Sequence, residues 1–387
     1  MDEVAESSDP STGSSVRGHV EPKGEEQYRR FRRHVFVTVI SNKYIDVVVL
    51  HLLLAFFGIT GVLARVGLTR LTSFPGSQNG GVLWSNFGGC LLMGILVRSE
   101  ALFGDLIVIE QMAPLDVVEH GASGNVLRRT YTRKEKIPLY IGLATGVCGS
   151  ITSFSTFMIE LFQLSALQPP TGVSYPNPGY GVMAFLSYLI ITLTVSFGGY
   201  FCGFHVADGI EKFFPISLAT YTLIIEVLGA MLGLTAWVAV IVLAILIPQW
   251  RYWTFACIFG PFGVYARFWS ARLFNKITHK FLVGTFIANM IATAILCALI
   301  ILQRGQTPSH GLIIKSKLQC QAISALQDGF CGNFSTISSF IAELVAFRSK
   351  RNAYIYGGIS IGGGFSIVVV ILGSYAWTRG ISAVAAC

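Results

Sequence analysis

Charge is scarce in this chain. Asp, Glu, Lys and Arg make up 12% of its 387 residues, hydrophobic residues make up 53%, and the mean hydropathy is +0.62. A soluble globular surface needs about twice that charge, so a soluble fold is excluded. The eight Cys form no CxxC pair and are scattered through apolar segments. They read as buried free thiols rather than disulfides or metal ligands. The seven His show no metal-ligand spacing, and His51 and His205, near segment ends, read as structural. The apolar segments contain no Ser/His/Asp or Cys/His constellation, which argues against an enzyme. The formal net charge is +8, but no aromatics interleave a basic surface, so no nucleic-acid partner is implied. The basic residues lie largely in loops and the N-terminal tail and read as membrane topology.

What the chain has is apolar runs long enough to cross a bilayer. Nine spans are expected, at about 45–70, 80–98, 138–164, 181–206, 218–247, 253–274, 281–302, 320–346 and 353–378. They must be helices, because lipid cannot satisfy open backbone groups. The runs repeat. GITGVLAR (58–65) recurs as GPFGVYAR (260–267), and GVLWSN (81–86) as GTFIAN (284–289). GVCGSITSFSTF (146–157) recurs as GFCGNFSTISSF (329–340). Each copy supplies four spans and leaves 218–247 alone between them. An even-numbered unit followed by one extra crossing returns upside down. The expected fold is an all-α membrane protein of two inverted four-helix repeats joined by a single linker transmembrane helix. Its domains are a disordered cytoplasmic tail (1–40), repeat 1 (41–207), the linker helix (208–250) and repeat 2 (251–387). With the N-terminus inside, Arg29, Arg30, Arg32 and Arg33, the long loop 99–137, Lys276, Lys280, Arg348, Lys350 and Arg351 fall on the cytoplasmic side. The C-terminus is then extracellular.

The third block carries most of the chemistry. Its glycines weaken an apolar helix, and Ser150, Thr152, Ser153, Ser155 and Thr156 can bond freed backbone groups or a ligand. A break there exposes carbonyls suited to a cation, and amides and hydroxyls suited to an anion. Small-residue helix packing is the plainer alternative, weakened by the recurrence at equal spacing. Asn86 and Asn289 hold matched places inside apolar helices. A buried amide is costly unless paired, so they read as pore-lining donors, with an interhelical hydrogen bond as the alternative. Arg65 and Arg267 end the first blocks and are either functional intramembrane charges or snorkelling side chains. Glu160 and Glu343 follow the third blocks at equal distance and read as ion-paired or interfacial. Glu226, in the unmatched span, reads as structural.

GxxGxxAR, GxxxxN and the Gly/Cys/Ser/Thr/Phe block, in that order within a four-helix unit, resemble the fluoride channel family, Fluc or CrcB in bacteria and FEX in eukaryotes. The resemblance covers about residues 45–378, and two repeats with a linker helix resemble the eukaryotic form. It implies a passive fluoride channel of the plasma membrane that exports fluoride and confers resistance to it. Two repeats in place of a homodimer imply a monomer, with the fluoride ion and the lipid bilayer as partners. It implies a structural Na+ held by the carbonyls of Gly149, Thr152, Gly332 and Ser335. It places Asn86 and Asn289 in pores, with the rings of Phe154, Phe157 and Phe340 and the hydroxyls of Ser155, Thr156 and Ser338. The family's polar track, one helix face at i, i+4, i+8, falls on Tyr188, Thr192 and Ser196. The second copy is Tyr356, Ser360 and Gly364, short of one hydroxyl, and Ile337 stands where a Phe is expected. The two pores are thus unequal, and the track 188/192/196 with the pair Phe154 and Phe157 is expected to conduct. A proton-coupled secondary anion transporter is the alternative, and it needs a titratable group at the midplane.

Overall fold

Lipid offers a backbone amide no partner, and the described residues answer mainly with helices. The computed structural model describes residues 43–74, 80–100, 102–103, 134–166, 175–213, 222–309 and 311–387. The expected tail (1–40) and most of the loop 99–137 lie outside the described residues. Helix α1 is Lys43–Thr72 and α2 is Leu83–Arg98. Helix α3 runs through 138–151 with a π-helical stretch at Gly142–Cys148, and α4 is Phe154–Ser165. Helices α5 (Pro178–Phe213), α6 (Thr222–Leu246), α7 (Arg251–Phe274) and α8 (Val283–Arg304) follow. Helix α9 spans 317–334, again with a π-helical stretch, at Leu326–Cys331. Helix α10 is Ser338–Ala346, and α11 covers 350–378. The third span of each repeat is therefore the one that carries both a π stretch and a break.

Among the described residues, six helices are long and apolar enough to cross a membrane: Val47–Thr72, Pro138–Ser165, Pro178–Phe213, Ile224–Leu246, Val283–Arg304 and Lys350–Thr378. The chain is a multi-pass membrane protein. The other three expected spans fall on α2, which is 16 residues long, on α7, and on the α9–α10 pair.

Close approach sets the packing. Helix α2 lies along α5, where a Cβ at Gly203 would come within 2.8 Å of Ile95 N and one at Gly199 within 2.7 Å of Phe87 O. Small residues at such spacing let helices touch without a hydrophobic driving force. Helix α6 packs on α1 and α7 and turns Leu228, Met231, Leu232 and Ile245 outward. Glu226 on α6 accepts the Leu139 N–H at 3.2 Å and so caps the start of α3, the structural role expected of it.

One expectation is corrected here. Cys320 and Cys387 form a disulfide, while Cys90, Cys148, Cys202, Cys257, Cys297 and Cys331 are free. The C-terminal segment folds back on the end of α8, with Gln306 N–H donating to Gly380 O at 3.2 Å and Ser382 N–H to Arg304 O at 2.8 Å. That return brings the last residue to the start of α9, a closure that a sequence separation of 67 does not reveal.

Candidate functional site at two crossed helix breaks

Both third blocks break, and they break alike. Between α3 and α4, Thr152 (φ −89°, ψ 150°) and Ser153 (φ −142°, ψ 115°) are extended. Between α9 and α10, Ser335 takes φ −85°, ψ 161°. The glycines are not the break points: Gly149 and Gly332 lie in the helical turns just before. A continuous helix would give the Ser153 N–H to Gly149 O. Instead it donates to Asn86 Oδ1 at 2.9 Å, and Thr336 N–H donates to Asn289 Oδ1 at 2.8 Å. Each Asn thus clamps its own repeat's break through its oxygen. Asn289 Nδ2 goes on to Thr336 O at 3.2 Å, whereas Asn86 Nδ2 is buried without a partner among the described residues.

The two breaks also cap each other. Thr152 Oγ1 accepts the N–H groups of Ile337 and Ser338, both at 3.1 Å, at the start of α10. Its counterpart Ser335 Oγ accepts Ser155 N–H at 3.1 Å, at the start of α4. Thr156, by contrast, is bonded within its own repeat, its N–H donating to Ser153 Oγ. A cap contributes about 1 kcal/mol, so this reciprocal arrangement ties the repeats at their centre.

The first blocks deliver two guanidinium groups to the same place. Arg65 is 2% exposed and Arg267 3%, so neither snorkels. Arg65 donates to Ser150 O at 3.0 Å, to Asn333 Oδ1 at 3.3 Å and to Asp328 O, and pairs with the Asp328 carboxylate at 3.8 Å. Arg267 Nη1 donates to Gly149 O at 2.6 Å and to Ser335 O at 3.0 Å, and its Nη2 to Thr145 O. The block glycines permit this reach. A Cβ at Gly58 would come within 2.8 Å of Val264, and one at Gly263 within 3.0 Å of Asn333 Cβ and Phe334 N.

Arg267 therefore takes two of the four carbonyls expected to hold sodium. Two unit charges about 4 Å apart repel by about 4 kcal/mol at an effective dielectric of ~20. The residues as arranged do not fit a sodium ion on that carbonyl set.

The polar tracks lie beside the breaks. Thr192, Ser196, Tyr356 and Ser360 are fully buried, and among the described residues Thr192 Oγ1 and Ser360 Oγ have no hydrogen-bond partner. Tyr188 donates to Glu160, which also accepts Val82 N–H at 3.2 Å. Tyr356 donates to Glu343 at 2.7 Å, which also accepts Thr285 Oγ1–H at 2.5 Å. The glutamates thus accept from track tyrosines, where an ion pair or an interfacial position was expected. The expected Phe pair is in edge-on ring contact at 6.4 Å, and its two members face different neighbours. Phe157 lies 5.9 Å from Tyr188, but Phe154 lies 5.7 Å from Phe340, itself 5.5 Å from Tyr356. A Cβ at Gly364 would meet the Phe154 ring at 2.8 Å, so Phe154 faces the second track. Ser338 Oγ sits with Thr152 Oγ1 at 3.2 Å, on the break rather than on a track. A cavity of about 350 Å³ is lined by Arg267, Thr285, Thr336, Ser339 and Glu343, with Glu135 at its rim.

Residue reading missed Asp328, Asn333 and Thr285. Asp328 had a signal, an acid inside an apolar run one residue before a repeated Gly. Asn333 stands in the third block where the first copy has Ser150, and only the fold brings it to Arg65.

A family model described as CrcB-like protein, Camphor Resistance (CrcB), matches residues 52–204 and 254–374. Fluoride export protein 1 of Candida albicans is 34% identical over 331 residues, 84% of this chain and 79% of the relative. Fluoride export protein 1 of Neurospora crassa is 34% identical over 362 residues, 84% of this chain and 66% of the relative. Fluoride export protein 2 of Saccharomyces cerevisiae is 30% identical over 400 residues, 90% of this chain and 99% of the relative. No solved structure matches the chain.

Proposed function

Because the chain belongs to the CrcB-like protein family, we propose that it is a fluoride-selective passive channel, monomeric in the plasma membrane, that exports fluoride. One observation carries this reading. Among the described residues, Asn86 Nδ2, Thr192 Oγ1 and Ser360 Oγ are buried without hydrogen-bond partners, and all three belong to residues expected to line a pore. An unmet buried donor costs about 1–3 kcal/mol, which fits an occupant that accepts hydrogen bonds and moves on. Fluoride is small and strongly hydrated. Successive amides, hydroxyls and positive ring edges replace its water in steps, and weak multiple sites allow both entry and exit.

The first track is the conductor in this reading. It keeps Tyr188, Thr192 and Ser196, and it holds two of the unmet groups, Asn86 Nδ2 and Thr192 Oγ1. The second track has the ring pair Phe154–Phe340 and the neighbouring cavity in its favour. The donors decide, because Phe154 and Met158 pack where a side chain at Gly364 would stand, leaving the third step without a polar group.

The nine-span inverted arrangement has three supports. With the N-terminus inside, the larger group of basic loop residues falls on the cytoplasmic side and a smaller one outside. Arg65 reaches Asn333, Arg267 reaches Gly149 O, and each repeat's cap reaches the other repeat's break, the pattern a two-fold axis produces. The Cys320–Cys387 disulfide suits an oxidising compartment, hence an extracellular C-terminus.

Proton-coupled exchange remains the second reading, favoured by the contacts of Glu160 with Tyr188 and Glu343 with Tyr356. Fluoride-loaded liposomes carrying the purified protein separate the two. A channel releases fluoride only when a potassium shunt balances charge, and releases little chloride. Uphill fluoride movement driven by a pH gradient without a shunt rejects the channel.

A further inference from the structure

We propose that the Arg267 guanidinium is itself the cation joining the two helix breaks, a tethered charge standing where a bound monovalent metal ion was expected. Its Nη1 donates to Gly149 O of one break and to Ser335 O of the other. One nitrogen thus bridges the repeats as an ion between them would. The side chain is buried, so water does not dissipate its charge. Room for it depends on Gly149, where a Cβ would meet Nη1 at 2.8 Å.

The two arginines are not equivalent, and the difference isolates Arg267. Arg65 is offset by the Asp328 carboxylate. The matched position in the first repeat is Thr145, which offers Arg267 only a carbonyl. Among the described residues, no carboxylate lies within ion-pair distance of Arg267. Glu135 and Glu343 line the same cavity but stand farther off. Arg267 Nε is buried and has no partner among the described residues, so the group keeps a donor free in the interior. One uncompensated positive charge at the crossing favours an anion nearby, as a metal ion does, yet it cannot exchange with sodium in the bath. The inference stands on break geometry alone and is tested without reference to which anion passes.

Thermal unfolding of the purified full chain is measured in sodium chloride and in N-methylglucamine chloride at equal ionic strength. The expected midpoints coincide. A midpoint that rises with sodium by about 3 °C or more, the size a saturating ligand produces in a chain this long, overturns the proposal, because a resident ion is then part of the fold. Arg267→Lys keeps a charge and is expected to remain indifferent to sodium. Arg267→Gln leaves the Gly149 and Ser335 carbonyls without a cation. Its midpoint is expected to drop in N-methylglucamine and to recover in part as sodium is added. Arg267→Gln with an unchanged midpoint and no sodium response also overturns the proposal. If that variant does not fold, the wild-type and Arg267→Lys comparisons decide alone.

Discussion

The side-chain amide of Asn86 is asked to do two things. Its oxygen holds the Ser153 N–H that the helix break releases, and its nitrogen faces no partner. Asn289 holds Thr336 N–H in the same way but spends its nitrogen on Thr336 O. Asn86→Ala is therefore expected to lose both a clamp and a pathway donor. Fluoride efflux from liposomes should fall by about 10- to 100-fold, equivalent to about 1–3 kcal/mol. Asn289→Ala should lower the unfolding midpoint comparably while cutting efflux several-fold less. Equal efflux losses would remove the assigned difference between the two amides. The matched positions of these residues were legible in the sequence. The clamping role was not, because it depends on a break lying three residues beyond the Gly of the third block.

At the level of elements, the break is a joint built from both repeats. Thr152 caps α10 of the second repeat and Ser335 caps α4 of the first. A reading in which these residues act through carbonyls alone makes Thr152→Ala mild. The observed caps make it costly: Thr152→Ala and Ser335→Ala should each destabilise by about 1 kcal/mol, a drop of one to a few degrees in midpoint, roughly scaled to chain length. Thr152→Ser should retain most of the stability. The double Ala variant should depart from additivity, because the two caps share one packed joint. Purely additive losses would mean the breaks are independent. Gly149→Val should be severe, since a side chain there displaces the Arg267 guanidinium, and a folded variant with wild-type efflux contradicts that. Gly, Ser and Thr in an apolar helix announced a break in the sequence. Which residue caps which helix was not readable, because the partner comes from the opposite repeat, roughly half the chain away.

For the molecule as a whole, the apolar runs carried the all-helical, membrane-spanning class, and the split of hydroxyls between tracks carried the expectation that the two are unequal. The rings reach beyond a single track: Phe154 and Phe157 touch edge-on at 6.4 Å, and Phe157 lies against Tyr188 while Phe154 lies against Phe340. A helix that starts between two tracks sends adjacent turns opposite ways, and no single-repeat pattern shows that. The disulfide sharpens the topology prediction. On intact cells, a Cys placed near residue 20 should resist a membrane-impermeant thiol reagent, and Cys387 should react with it only after an impermeant reductant opens its bond to Cys320. Labelling of both termini from the same side would sink the nine-span inverted arrangement. The central claim is that fluoride follows the track bearing the unmet donors, and paired track variants reconstituted at matched density test it most directly. Tyr188→Ile with Thr192→Val should abolish shunt-dependent fluoride efflux, while Tyr356→Ile with Ser360→Val should leave most of it. Loss from the second pair with efflux retained in the first would contradict the account.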